Sequence, residues 1–367
     1  MVNTLQAQVE QQPNPLRYGI PSLTIAPDAR GGAMGDIGAA TEPDVFSQYW
    51  NPAKYAFAYS HAGISLSFTP WLAKLVDDIN VTYVSGFYKI NDYVALGSSL
   101  RYFSLGEVLL QNSEIDPGLI VNPNEWAFDA SVSIKLAETF SMATAFRGIY
   151  SDLGAGQRED DITPAAAVAV DVAGYYNNYF IMGRNECMLG LGFNISNIGN
   201  KVSYDGGATS TFLPANLRLG ASVLFPLDDY NTLSINADAN KYLVPTPDSA
   251  KIKENLYYFS EMSPITGIFR SFSDAPGGVK EELQEIMWSL GAEYAYDNKF
   301  FVRGGYFHEN QYKGNRQYFS LGAGFKLTAF QLDVAYLIST VPSNPLDQTL
   351  RFSLSFDMDG LKNLMKQ

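Results

Sequence analysis

Histidines, cysteines and clustered glycines are the first places to look for chemistry in this chain of 367 residues. It has two histidines, His61 and His308, and one cysteine, Cys187. Both histidines fall in or at the end of segments that read as strands. Neither has a second His or Cys at ligand spacing, so no metal site is expected. No nucleophile–base pair can be named from spacing, although such groups assemble in space; neither an enzymatic activity nor a cofactor is expected. A lone cysteine has no partner for an intramolecular disulfide and reads as a small buried residue. The run Gly31-Gly32-Ala33-Met34-Gly35-Asp36-Ile37-Gly38 lacks the G-x-G-x-x-G spacing and the lysine and hydroxyl residue of a phosphate loop. A tight bend with close backbone packing accounts better for Gly31, Gly32, Gly35 and Gly38.

The remaining chemistry-bearing side chains are charges, and their placement is regular. Arg101, Asp129, Arg147, Asp171, Arg218, Asp238, Glu293, Arg303, Lys326, Asp333 and Arg351 all occupy the polar face of alternating segments. If the apolar face meets lipid, these charges point into a lumen, where each needs a partner. The expected role is structural: a salt-bridged, hydrated interior rather than a selectivity filter. Gly190, Gly192, Ser320, Gly322 and Gly324 share that inward face and leave room for something packed inside.

The elements that must position these residues are strands. Leu350 to Phe356 alternates apolar and polar without a break, as does Leu233 to Asn240; Trp126 to Ile134 and Phe330 to Tyr336 do so except at Ala127 and Ala335. Weaker alternation covers 55–68, 79–90, 93–105, 139–152, 164–176, 184–198, 214–226, 285–296, 299–308 and 316–327. That predicts about fourteen strands of roughly nine residues or more, the length a tilted strand needs to cross a bilayer. Short connections at 90–92, 137–138, 227–229, 297–298 and 327–329 alternate with long ones at 69–78, 106–124, 153–163, 199–213, 245–284, 309–315 and 341–347; a connection near 176–183 is longer. This is the signature of an antiparallel transmembrane β-barrel with short periplasmic turns and longer external loops. An even strand count predicts both termini in the periplasm. Residues 23–53 break the alternation, and the stretch 16–53 is expected to enter the barrel from the periplasm as a plug. Residues 1–15 read as a flexible lead that can hold a signal-peptide remnant, 54–358 as the barrel and 359–367 as a tail.

Composition agrees with a barrel and excludes some partners. The chain has 46% hydrophobic residues, 23 Tyr and 23 Phe, suited to interfacial belts. Its net charge of -13 disfavours nucleic acid. Outer-membrane lipid is the expected surroundings. Two long connections carry apolar clusters that suit partner binding: Leu109, Leu110, Leu119 and Ile120 in 106–124, and Tyr257, Tyr258, Phe259, Ile268, Phe269 and Phe272 in 245–284, where Lys251 to Phe259 can form a short helix.

The small-residue stretch followed by Tyr49-Trp50-Asn51-Pro52-Ala53 resembles the FadL-type outer-membrane proteins, whose N-P-A follows a plug. Within that family, residues 27–53 and Arg101 to Glu107 are similar to the PorV/PorQ group of Bacteroidetes. The resemblance implies a non-enzymatic, FadL-like barrel of the type IX secretion system. It implies three partners: the translocon channel protein, secreted cargo with a C-terminal signal domain, and a surface attachment complex with a sortase-like enzyme. Asn51, Pro52 and Ala53 match the motif directly and are expected to form the hinge between plug and first strand. The alternative is a FadL-like uptake channel for hydrophobic small molecules.

Overall fold

The computed structural model describes residues 12–111, 118–154, 163–248, 259–342, 344 and 346–365. Its strands are β1 (Ala62–Pro70), β2 (Ile79–Lys89), β3 (Val94–Leu105), β4 (Val108–Leu110), β5 (Leu119–Val121), β6 (Asn124–Ala137), β7 (Phe140–Asp152), β8 (Ala165–Met182), β9 (Asn185–Gly199), β10 (Asn216–Pro226), β11 (Asn231–Tyr242), β12 (Met287–Tyr296), β13 (Phe300–His308), β14 (Gln317–Lys326), β15 (Phe330–Ser339) and β16 (Leu350–Asp357). Fourteen of them close an antiparallel barrel; β4 and β5 form a separate hairpin in the β3–β6 connection. The seam pairs β1 with β16 from Gly63↔Asp357 to Phe68↔Phe352, so every barrel strand has two neighbours. Closure satisfies the backbone polar groups that lipid would leave unbonded.

The period of two sets the two surfaces. On β6, Ala127, Asp129, Ser131 and Ser133 are buried while Trp126, Phe128, Val132 and Ile134 are exposed. Phe146, Ile235, Val302, Leu321 and Phe352 continue the exposed apolar band. Towards the end with the long connections, Tyr102, Trp126 and Tyr150 are register partners across β3, β6 and β7, and Trp288 packs near Tyr306 on β12 and β13. Such amphipathic rings suit a membrane interface.

Turn chemistry explains the short connections. Asp297 and Asn298 both have φ near 50°, as a tight hairpin requires. Gly183, at φ 68°, turns β8 directly into β9. The connection expected at 176–183 is therefore strand for most of its length, because Tyr179 to Met182 continue the pairing with Asn185 to Met188. The expected strand over 55–68 also starts late. Asn51 caps and Pro52 opens a 3-10 helix, Pro52–Phe57, and β1 begins at Ala62. The stretch read as tail from 359 is helical over its described residues, within a helix Met358–Met365, α5.

The described start and end of the chain lie at opposite mouths. The Asn14 backbone N–H donates to the Tyr312 carbonyl at 2.7 Å, and its side chain reaches the Pro247 carbonyl at 2.8 Å. Gly19 N–H donates to the Phe212 carbonyl at 2.8 Å. All three partners belong to long connections. The end of β16 and the C-terminal helix instead meet the short-turn end: Asp357 N–H donates to the Ala329 carbonyl at 2.8 Å, and His61 N–H to Asp359 at 2.7 Å. The expectation that both termini share one side, with the 16–53 stretch entering from that side, does not hold for these residues. Strand parity locates only the start of β1. The chain ahead of β1 runs the length of the lumen.

Candidate functional site

The lumen segment begins where the chain bends inward at Ile20, buried, with φ 52° and ψ 62°. A β-branched residue rarely adopts this left-handed conformation; Ile20 packs in one cluster with Leu23, Ala127, Ile149 and Val202, which holds it there. Three short helices follow: a 3-10 turn, Pro21–Thr24; α1, Ala29–Ala33; and α2, Ser47–Trp50. Asp28 caps α1 by accepting from Gly31 N–H at 2.8 Å and also accepts from the Trp50 indole N–H at 2.6 Å. That bond lays the indole on the segment's own glycines. A Cβ at Gly31 or Gly38 would collide with the Trp50 ring, one at Gly32 with Arg351, and one at Gly35 with the Tyr306 backbone. The wall reciprocates: a Cβ at Gly192 would fall on the Ala39 carbonyl, and one at Gly190 on that of Ala40.

Asn51 is fully buried and makes three bonds. Its amide donates to the Ala39 carbonyl at 2.8 Å and the Gly174 carbonyl at 2.9 Å, and its oxygen accepts from Ala53 N–H at 3.0 Å. The Ala53 carbonyl accepts from Ser133 at 3.0 Å and Ser141 at 2.7 Å. Asn51, Pro52 and Ala53 thus fasten the segment to β6, β7 and β8 rather than leaving it free to swing. The buried segment also continues past Ala53 through Ala56.

The inward charges join segment to wall. Arg30 of the segment pairs with Glu293 of β12 at 2.8 Å and with its own neighbour Asp44 at 2.9 Å. Glu293 also pairs with Arg303, which reaches Asp333 at 2.6 Å. Arg351 bonds Asp36, whose other oxygen accepts from the Tyr318 hydroxyl at 2.6 Å. Asp238 accepts from Gly38 and Ala39 N–H at 2.9 and 3.1 Å. Arg101 donates to the Ser22 and Ile25 carbonyls at 2.6 and 2.8 Å. Arg147 stays within the wall, between Asp129 at 2.6 Å and Asp171 at 3.0 Å. Arg218 donates to Asn240 at 2.7 Å and lies 4.4 Å over the Trp50 ring. Lys326 is half-buried. Hydrogen bonds to charged groups contribute about 1.5–3 kcal/mol each, so the segment is held from several directions. Two polar cavities of about 30 Å³ each, sharing Thr24, Tyr49, Asn216, Arg218 and Tyr242, remain beside it.

The long-connection rim carries exposed apolar side chains. Leu109 and Ile120 project from the β4–β5 hairpin, whose backbones include Leu110 and Leu119. Among its described residues, the connection read as 245–284 has a helical turn at 259–261 and two helices, α3 (Pro264–Arg270) and α4 (Val279–Gln284). Ser263 caps α3 by accepting from Thr266 N–H at 3.2 Å. Phe269 and Phe272 are exposed beside Ile265, Ile268 is half-buried, and Phe259 packs edge-on against Phe212. Tyr257 and Tyr258, with most of the helix read at 251–259, lie outside the described residues. Sequence reading missed Leu75, Val76, Val279 and Leu283, all exposed on the same rim. The apolar pairs Leu75-Val76 and Val279/Leu283 were the available signal.

Ion pairs anchor the α3–α4 lid. Lys241 bonds Glu285 at 2.5 Å and Glu282 at 3.2 Å; Lys313 bonds Glu281 at 2.5 Å and Glu285 at 3.0 Å. Partial burial, reinforced by Glu282 and Glu285, pushes the Asp274 carboxyl up to about 6, against the Thr246 N–H bond that favours its charged form. The folded lid then binds this proton more tightly than the unfolded chain, so its stability falls as pH rises from the ordinary carboxylate range through about 6. After correction for the intrinsic base-catalysed exchange rate, protection across 264–286 is expected to be higher at pH 5 than at pH 7.5, and Asp274→Asn should remove the difference in protection. An equal pH dependence in that variant would refute the assignment.

The family described as "Type IX secretion system protein PorV" matches residues 7–249. None of the curated proteins matches the chain. Among solved structures, the toluene transporter TodX of Pseudomonas putida is 12% identical with a TM-score of 0.50, over 94% of this chain and 99% of that one. The TodX deltaS2S3 mutant, a monoaromatic hydrocarbon channel, gives 12% and 0.52, over 90% and 98%. A FadL homologue of Pseudomonas aeruginosa gives 12% and 0.49, over 90% and 98%. At such identity the likeness is one of fold alone, that of the TodX barrel.

Proposed function

Because the chain belongs to the PorV family of type IX secretion system proteins, we propose that it binds cargo bearing a C-terminal signal domain at the translocon and carries it to the surface attachment complex and its sortase-like enzyme. The family's setting is the outer membrane. The observation that carries the proposal is a division of labour in the molecule. The lumen is filled by residues 20–57, acting as a plug, while apolar side chains project from the rim at Leu109, Ile120, Ile265, Phe269 and Phe272. A protein that binds outside and conducts nothing through its centre needs both. An uptake channel for hydrophobic molecules would need an apolar cavity of about 300 Å³ or more. Two small polar cavities lined by arginine and asparagine lie beside the segment, and a larger apolar hollow of about 700 Å³, lined by Ile64, Leu96, Leu100, Phe128 and Phe146, lies on the outward face of the wall.

Native-membrane purification of a Leu109→Asp/Phe269→Asp/Phe272→Asp variant tests this reading. Removing buried anchors of an interface weakens binding by about tenfold or more. Cargo and translocon recovery should fall by that order while the barrel keeps its heat-modifiable migration. Recovery equal to the unsubstituted protein would end the rim assignment.

A further inference from the structure

The outward face of α4 points to a lipid contact that the secretion reading neither uses nor requires. Val279, Leu283 and Ile286 recur at helical spacing, and all three are exposed. The opposite side carries Glu281 and Glu285, with Glu282 on the flank, and the three reach inward to Lys313 and Lys241. Those ion pairs fix the orientation of the helix: its carboxylates face the barrel axis, so its apolar side faces away from it. Ile286 leads straight into β12, where Met287 is buried inward and Trp288 is exposed. The apolar face of α4 is therefore continuous with the outward row of β12. Trp288 stacks on His308 at 5.1 Å and packs near Tyr306, within the aromatic belt at that end of the barrel. Lys280 is exposed beside Val279, a cation on the rim of a chain whose net charge is -13.

We propose that α4 lies in the plane of the leaflet at the long-connection end, with Val279, Leu283 and Ile286 among the upper acyl carbons and Lys280 at the lipid phosphates. The occupant is the lipid surface. Continuity with the lipid-facing band and the charge of Lys280 against anionic headgroups both select it. An apolar face of this kind enters the headgroup–acyl boundary by about 5–10 Å, and basic residues on its flank add attraction to anionic lipid. The contact would also brace the lid, since the carboxylates that hold it to Lys241 and Lys313 are on the same short helix.

The test uses the full chain in vesicles of phosphatidylcholine, with and without phosphatidylglycerol. A bimane label is placed by Leu283→Cys and, as a control on the 200–215 connection, by Ala208→Cys; Cys187 is buried. Nitroxide near the lipid headgroup should quench the label at position 283 about twofold or more beyond that at 208, and aqueous iodide should quench it correspondingly less. Lys280→Glu should lower the lipid quenching only in vesicles containing phosphatidylglycerol. Iodide quenching at 283 equal to that at 208 overturns the proposal. So does protection that disappears when protein is diluted in lipid, which would assign the face to a second copy. Unchanged lipid quenching in Lys280→Glu overturns the phosphate contact. No cargo enters the measurement, so its outcome is independent of the secretion reading.

Discussion

Trp50→Ala is expected to release the lumen segment while the barrel around it stays folded. Trp50 is 1% exposed and packs with Ala26, Phe46 and Tyr83. Its ring fills the space left by Gly31 and Gly38, and its N–H is one of two donors to Asp28. Truncating a buried Trp costs about 3–5 kcal/mol, and here it also leaves a buried carboxylate short of a donor. None of that loss falls on strand pairing, because residues 20–57 contribute no strand to the ring. The variant should migrate as a folded barrel, become cleavable by protease within 23–53, and conduct ions in planar bilayers, whereas the unsubstituted protein is expected to be silent. A silent, protease-resistant Trp50→Ala would mean that the wall contacts alone hold the segment.

The second large effect centres on Glu293, the carboxylate shared by Arg30 of the segment and Arg303 of the wall. Glu293→Ala leaves two buried guanidinium groups with one acid each, Asp44 and Asp333. Breaking a buried pair from one side costs about 3–5 kcal/mol, far more than the intact pair contributes over a well-packed apolar substitute. Arg30→Met combined with Glu293→Met should therefore be less damaging than the sum of the two single changes. Thermal denaturation of all four proteins, followed by tryptophan fluorescence, measures the coupling. Additive effects would show that Arg30 and Glu293 are not energetically linked.

Strand alternation made the ring readable. Asp129, Arg147 and Asp333 occupy the polar face of their segments, and that face is the inward one. Their partners were not readable, because an ion pair such as Arg30–Glu293 joins residues far apart in sequence through the closure of the ring. The Asn51-Pro52-Ala53 motif was visible as a motif, but not that it would be bolted to Gly174, Ser133 and Ser141. The late start of β1 had a local cause, since Asn-Pro opens a 3-10 turn more readily than a strand. Exposed rim residues such as Val279 and Leu283 were harder to find. A helix of two turns offers too few repeats for its period to stand out from the surrounding loop.

The opposite placement of residues 12–20 and helix α5 also constrains the order of assembly. One covalent strand of chain enters one mouth, leaves by the other and then becomes β1. Threading it through a finished ring would drag Asp28, Arg30, Asp36, Glu42, Asp44 and Lys54 past a wall already lined with opposing charges. Wrapping the hairpins around a segment already in place avoids that barrier, and the charges of wall and segment then meet pairwise as each hairpin arrives. On this route the β1–β16 seam is the last to zip, and the segment serves as a mandrel on which the ring is wound.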